Sequence, residues 1–118
     1  MTVPYVVASY AYALLCMVPA SMKLAGTAKM RSAAEHFGVS WSRYRVIGIL
    51  EAAAAVGVAA GLCWRAIGLA AALGMIALLV GAVIVHRRAH DTTGEAVNAL
   101  VFLAASVAYV GIWAATLP

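Results

Sequence analysis

Residues 66–85 read AIGLAAALGMIALLVGAVIV, an unbroken run with no Asp, Glu, Lys or Arg. A helix of ~20 apolar residues is what it takes to cross a hydrocarbon core of ~30 Å. A run this long and this plain decides the fold class: the solvent is a bilayer. Three more stretches of similar length flank it, Val3 to Met22, Val46 to Trp64 and Ala96 to Leu117. The first and last are also free of those four residue types, and the second contains only Glu51. Over all 118 residues, 66% are hydrophobic, 10% are charged and the mean hydropathy is +1.00. A soluble fold of this length leaves too much surface exposed to hide so much apolar side chain. The expectation is an all-α protein: one domain over residues 1–118, folded as a transmembrane four-helix bundle.

The charges are as informative as their scarcity. Lys23, Lys29, Arg31, Arg43 and Arg45 surround the first loop, and Arg87 and Arg88 open the third. The second loop has Arg65 alone, and neither chain end carries a Lys or Arg. Loops rich in Lys and Arg stay cytoplasmic. Loops 1 and 3 are therefore expected inside, with both termini and Arg65 outside, in the plasma membrane. Only Met1 and Thr2 precede the first apolar run, so it reads as a span and not as a cleavable signal. Basic residues at span ends face lipid headgroups. The net charge of +4 is no sign of nucleic acid, and the bilayer is the expected partner. Cys16 and Cys63 fall at opposite depths, too far apart for a disulfide. In the long first loop Met30, Ala34, Phe37 and Trp41 recur at helical spacing. With Ser32-x-x-Glu35 as a capping box, they predict a short interfacial helix between spans one and two, anchored by Trp41 and Tyr44.

At ~100° per residue the polar side chains of each span gather on one face. Tyr5, Ser9, Tyr12, Cys16 and Lys23 share a stripe of span one. Asn98, Phe102, Ala105, Tyr109 and Trp113 share one in span four, with Ser106 at its edge. Glu51 shares a face with Tyr44, Gly48, Ala55, Val58 and Leu62, and His86 with Ala82, Leu79, Met75 and Ala72. Polar faces of membrane helices turn inward, so the stripes should meet inside the bundle. Span two places Glu51 ~9 Å along its axis from Arg45. Lys23, His86 and Asn98 sit at the matching ends of their spans. A carboxylate, an ammonium, an imidazole and an amide thus converge in the cytoplasmic third. Pro19 is expected to kink span one just above Lys23. Gly57-x-x-x-Gly61 and Gly68, Ala72, Gly74 and Gly81 favour close helix approach, and the G-x-x-x-G permits a homodimer.

A carboxylate in a span needs compensation. If Lys23 reaches Glu51, the pair stays ionised. If Lys23 snorkels to the headgroups, Glu51 can hold a proton and donate it, with His86 as its natural proton partner. The plain alternative is an internal tie from Glu51 to Lys23, Tyr12 or His86. Glu51 and His86 are too few for a zinc site, so no metal is expected.

Three segments then stand out together: Lys23-Leu24-x-Gly26, Gly48-x-x-Glu51 followed by Ala54 to Gly57, and Gly81-Ala82 with His86-x-Arg88. In order and spacing they resemble the DoxX-like family of small four-span membrane proteins, over nearly the whole chain. The resemblance singles out Lys23, Glu51 and His86, which periodicity also brought together, and adds Arg88. That family takes its name from a subunit associated with thiosulfate:quinone oxidoreduction. The resemblance therefore implies an accessory or quinone-binding subunit of a membrane oxidoreductase as one role. The chain has no cysteine pair or haem ligand set of its own, so that role needs a bound quinone or a redox partner subunit.

The residues themselves point first to a bundle that binds a small lipophilic molecule and does cofactor-free acid–base chemistry on it. Isomerisation, epoxide opening or cyclisation would suit the site. Glu51 is then the general acid or base, His86 a proton relay and Lys23 an electrostatic stabiliser. Tyr12, Cys16, Gly48, Asn98, Phe102 and Arg88 are the expected pocket lining. A proton-coupled exporter using its one membrane glutamate is the third reading.

Overall fold

The computed structural model describes residues 2–92 and 96–118. Met1 and residues 93–95, which the single-domain reading also takes in, lie outside the described residues. The described chain is helical: α1 Val3–Ala25, α2 Ala28–His36, α3 Trp41–Ala60, α4 Arg65–Arg88 and α5 Val97–Ala115, with no strand among the described residues.

Local chemistry sets the boundaries. Pro4 in the first turn of α1 has no N–H for a helix start to leave unpaired. At the other end Gly26 takes φ +68°, and its N–H bonds Lys23 O while Thr27 N–H bonds Met22 O. This left-handed turn satisfies the last carbonyls and stops α1 just after Lys23. The helix runs unbroken through Pro19. Thr27 then caps α2 by accepting from Met30 N–H at 3.3 Å. The expected capping box is therefore corrected. Ser32 lies inside α2, because the turn at Gly26 offers Thr27 as a cap earlier in the chain. A second left-handed glycine, Gly38 at φ +68°, ends α2. Ser40 caps α3 through Arg43 N–H. That start draws Trp41, Arg43, Tyr44 and Arg45 into α3, so Trp41 opens the next helix and does not belong to the interfacial one.

Three helices, α1, α4 and α5, are long and apolar enough to cross a membrane. The sequence suggested four. α3 has 20 residues but carries Arg43, Arg45 and Glu51 within them, since its cap at Ser40 pulls two arginines into the helix.

α1 packs on α3 and α5, α4 packs on α3 and α5, and α2 leans on α3. In α1, α3 and α4 the predicted stripes supply the buried faces, whereas in α5 only Tyr109 of the predicted stripe is buried and Asn98 is exposed. Tyr5, Ser9, Tyr12 and Cys16 are buried in α1, Gly48, Glu51, Ala55 and Val58 in α3, and Ala72, Met75 and Leu79 in α4. In α5 the buried residues are Ala99, Ser106 and Tyr109, so Ser106 is central and not at the edge. Outside, large apolar side chains such as Val7, Leu14, Leu73, Ile84 and Val107 are exposed. Apolar outside with hydroxyls and a carboxylate inside is the pattern that lipid solvation selects.

The G-x-x-x-G motif is spent within the chain. A Cβ on Gly61 would stand 2.7 Å from Gly68 Cα, and one on Gly57 would stand 2.7 Å from Ala71 Cβ. These glycines let α4 lie directly against α3, so this face does not offer itself to a second copy. Gly74 and Gly81 are different: nothing lies within 4 Å of where their Cβ would be. The α3–α4 seam is pinned at one end and loose towards the other.

Candidate functional site

The pinned end is closed by aromatic and hydroxyl groups. Tyr5 Oη donates to Gly61 O at 2.7 Å and lies 3.4 Å from Tyr109 Oη. Tyr12 bonds Ser106, whose Oγ also donates to Phe102 O. The Arg65 guanidinium stacks on Tyr5 at 4.1 Å from the ring centroid and donates to Trp113 O and Thr116 Oγ1. The indole N–H of Trp113 returns a bond to Arg65 O at 2.8 Å. Arg65, read from sequence as a loop charge, thus caps the end of α5.

The loose end holds a cavity of about 1510 Å³, lined by residues from all five helices. Its polar groups are the ones the helical stripes predicted, with additions. Lys23 Nζ approaches Glu51 Oε1 at 2.8 Å, with the two side chains 12% and 7% exposed. It is a charge contact and not an aligned hydrogen bond, for Oε1 has no hydrogen-bond partner. Of the two alternatives for Lys23, the structure shows the one in which it reaches the carboxylate. Gly48 makes this approach feasible. A Cβ there would stand 2.7 Å from Lys23 Cβ, so the absent side chain leaves the space in which α1 brings Lys23 beside Glu51. Lys23 Nζ also sits 5.2 Å from the centre of the Tyr44 ring.

His86 lines the same cavity, but its bonded partner is not Glu51. Its Nδ1 lies 2.6 Å from Asp91 Oδ2, and His36 Nε2 lies 2.7 Å from Asp91 Oδ1. One carboxylate, 5% exposed, joins the end of α2 to the end of α4. A carboxylate on one ring nitrogen fixes the orientation of the imidazole. Phe37 meets the His86 ring edge-on, with centroids 4.9 Å apart. Asn98 and Phe102 line the cavity from α5.

The remaining predicted lining residues are elsewhere. Tyr12 and Cys16 are buried in the packed core, where Tyr12 is held by Ser106. Gly48 lies beneath Lys23. Arg88 is exposed and borders a separate, smaller recess with Glu35 and His36. Periodicity placed Tyr12 and Cys16 on the inward face correctly, yet neither lines the cavity. Both cysteines are free, Cys16 buried and Cys63 exposed.

Sequence reasoning missed Asp91, His36 and the bridge between them. A signal existed. The chain has only four acids, and Asp91 follows directly on "HRRAH". No cluster of three metal-ligating side chains occurs among the described residues.

Comparison with known proteins adds one match. The model of the DoxX-like family fits residues 7–109. No curated protein matches the chain, and no solved structure does.

Proposed function

From the premise that the chain belongs to the DoxX-like family of membrane proteins, we propose that it binds a small lipophilic molecule in the cavity at the loose end of its helices. In this reading α3 is a fourth span, its two arginines lying at the headgroups, and the four long helices form a transmembrane bundle. The basic residues put the cavity end on the cytoplasmic side.

The observation that carries the reading is the cavity: largely apolar walls with Lys23, Glu51, His86 and Asn98 converging at one end. Apolar walls with a few placed polar groups are the usual make-up of a small-molecule site. Cofactor-free acid–base chemistry extends the same reading. Glu51 exchanges a proton with the ligand, Lys23 holds the charge left on Glu51, and His86 relays a proton with Asp91 orienting its ring. Glu51 is enclosed within one chain, which favours this pocket over an exporter whose carboxylate would serve a subunit interface.

The test is to purify wild type and Glu51→Gln and identify co-purifying lipophilic compounds by mass spectrometry. A defined compound held by wild type and lost from Glu51→Gln is expected. If neither retains anything beyond bulk lipid, the reading fails and Glu51 is a tie between helices.

A further inference from the structure

The cavity has an opening that its polar end does not explain. Along α4 its lining extends from Ala70 to His86, ~24 Å at 1.5 Å per residue. That is the length of an extended long hydrocarbon chain, and most of it lies away from Lys23 and Glu51. Leu50, Ala53, Ala70, Gly74 and Ala77 line the cavity and are also exposed on the outer surface of α3 and α4. They flank the seam that is pinned at Gly61–Gly68 and loose at Gly74, where a Cβ would meet nothing within 4 Å. In a bilayer that outer surface is hydrocarbon, so the seam connects the cavity to the acyl chains.

The polar end limits the head of such a molecule. Lys23 and Lys29 stand around the cavity with Glu51 and Asp91, and Asp91 is already engaged by His36 and His86. An anionic head meets two carboxylates, and the nearest ammonium is already engaged by Glu51. A cationic head meets two ammonium groups. A hydroxyl fits both signs. It can donate to Glu51, whose Oε1 has no hydrogen-bond partner, and accept from Lys23 or Asn98.

We infer that the cavity takes an uncharged, hydroxyl-headed, single-chain lipophile directly from the bilayer through the α3–α4 seam, head at Glu51 and chain along α4. This rests on the ligand-binding reading above.

The experiment places the full chain in phosphatidylcholine nanodiscs with a hexadecanol bearing a diazirine on its chain, and maps adducts after illumination. Unlabelled hexadecanol competes, and the matching hexadecanoic acid probe tests the head. Competed adducts are expected at Met75 and Leu79, which are buried at 1% and 8% exposure. Gly74→Trp should lower them at least tenfold by filling the seam. Gly111→Trp, equally unobstructed but outside the cavity lining, should not. Ala77→Phe replaces Gly74→Trp if size exclusion shows that variant to be misfolded. Competed labelling that persists with the seam filled overturns the route and leaves the binding site standing. Acid probe labelling as strong as the alcohol's overturns the head chemistry. Absence of competed labelling in wild type removes the ligand-binding reading, and this inference with it.

Discussion

Replacing Lys23 by Met tests what the Lys23–Glu51 pair contributes. Met keeps most of the aliphatic stem and removes the ammonium 2.8 Å from Glu51 Oε1. The carboxylate is then a buried charge without a partner, and breaking such a pair typically costs ~3–5 kcal/mol. The variant has a cheaper escape, which is to fold with Glu51 protonated. Loading a proton onto an ordinary glutamate of pKa ~4.3 at pH 7 costs ~3.7 kcal/mol, at ~1.36 kcal/mol per unit. The two figures agree, so a loss of ~3–4 kcal/mol is expected at pH 7. The sign with pH follows. In Lys23→Met the folded state holds a proton that the unfolded state releases above ~pH 4.3, so stability falls as pH rises through that range. At pH 5 the loss should shrink to ~1 kcal/mol. Wild type, with the Lys23 ammonium in place beside Glu51, should change less over the same window. Lys23→Met/Glu51→Gln, with no charge left to strand, should recover most of the loss. The assay is unfolding of reconstituted protein by SDS, followed by circular dichroism at pH 5 and pH 7. A loss under ~1 kcal/mol at pH 7 that does not vary with pH would refute the reasoning, for cavity water would then be solvating Glu51 unaided.

Gly57→Leu, whose Cβ alone would stand 2.7 Å from Ala71 Cβ, should destabilise by at least ~1–3 kcal/mol in the same assay. Gly74→Ala meets nothing within 4 Å and should be neutral or stabilising by up to ~1 kcal/mol; equal losses at the two sites would contradict the pinned seam. Ser106→Ala strands the Tyr12 hydroxyl in a dry core and should cost ~1–3 kcal/mol, with Tyr12→Phe/Ser106→Ala recovering part of it. His36→Ala removes one of the two imidazoles on Asp91. Amide exchange in α2 should speed up a few-fold while α1, α4 and α5 keep their protection, since an exposed ion pair contributes ~0–1 kcal/mol.

How much of this was legible beforehand depends on the range of the interaction. The inward faces of α1, α3 and α4 were readable because a helix repeats every 3.6 residues. Depth was readable from the same rise per residue, which is why Lys23 and Glu51 were expected at one level. Helix boundaries were less so. Ser32-x-x-Glu35 satisfied a capping pattern, but Thr27 sat just beyond a left-handed glycine and formed the cap first. A local pattern loses to an equally local competitor that the chain reaches earlier.

By itself, then, the sequence determined that the chain lives in lipid, which faces turn inward, and that one carboxylate, one ammonium and one imidazole share an end. Length, apolar content and helical period are one-dimensional quantities and need no tertiary contact. Only the tertiary structure decided who pairs with whom. It gave Lys23 to Glu51 through the gap at Gly48, gave His86 and His36 to Asp91, and spent Gly57 and Gly61 on α4. It also decided that Tyr12 and Cys16 lie in the packed core while Glu51 lies on the cavity wall. These depend on how closely two helices approach at each level. The closeness is set by facing side chains far apart in the chain, and helical period says nothing about those.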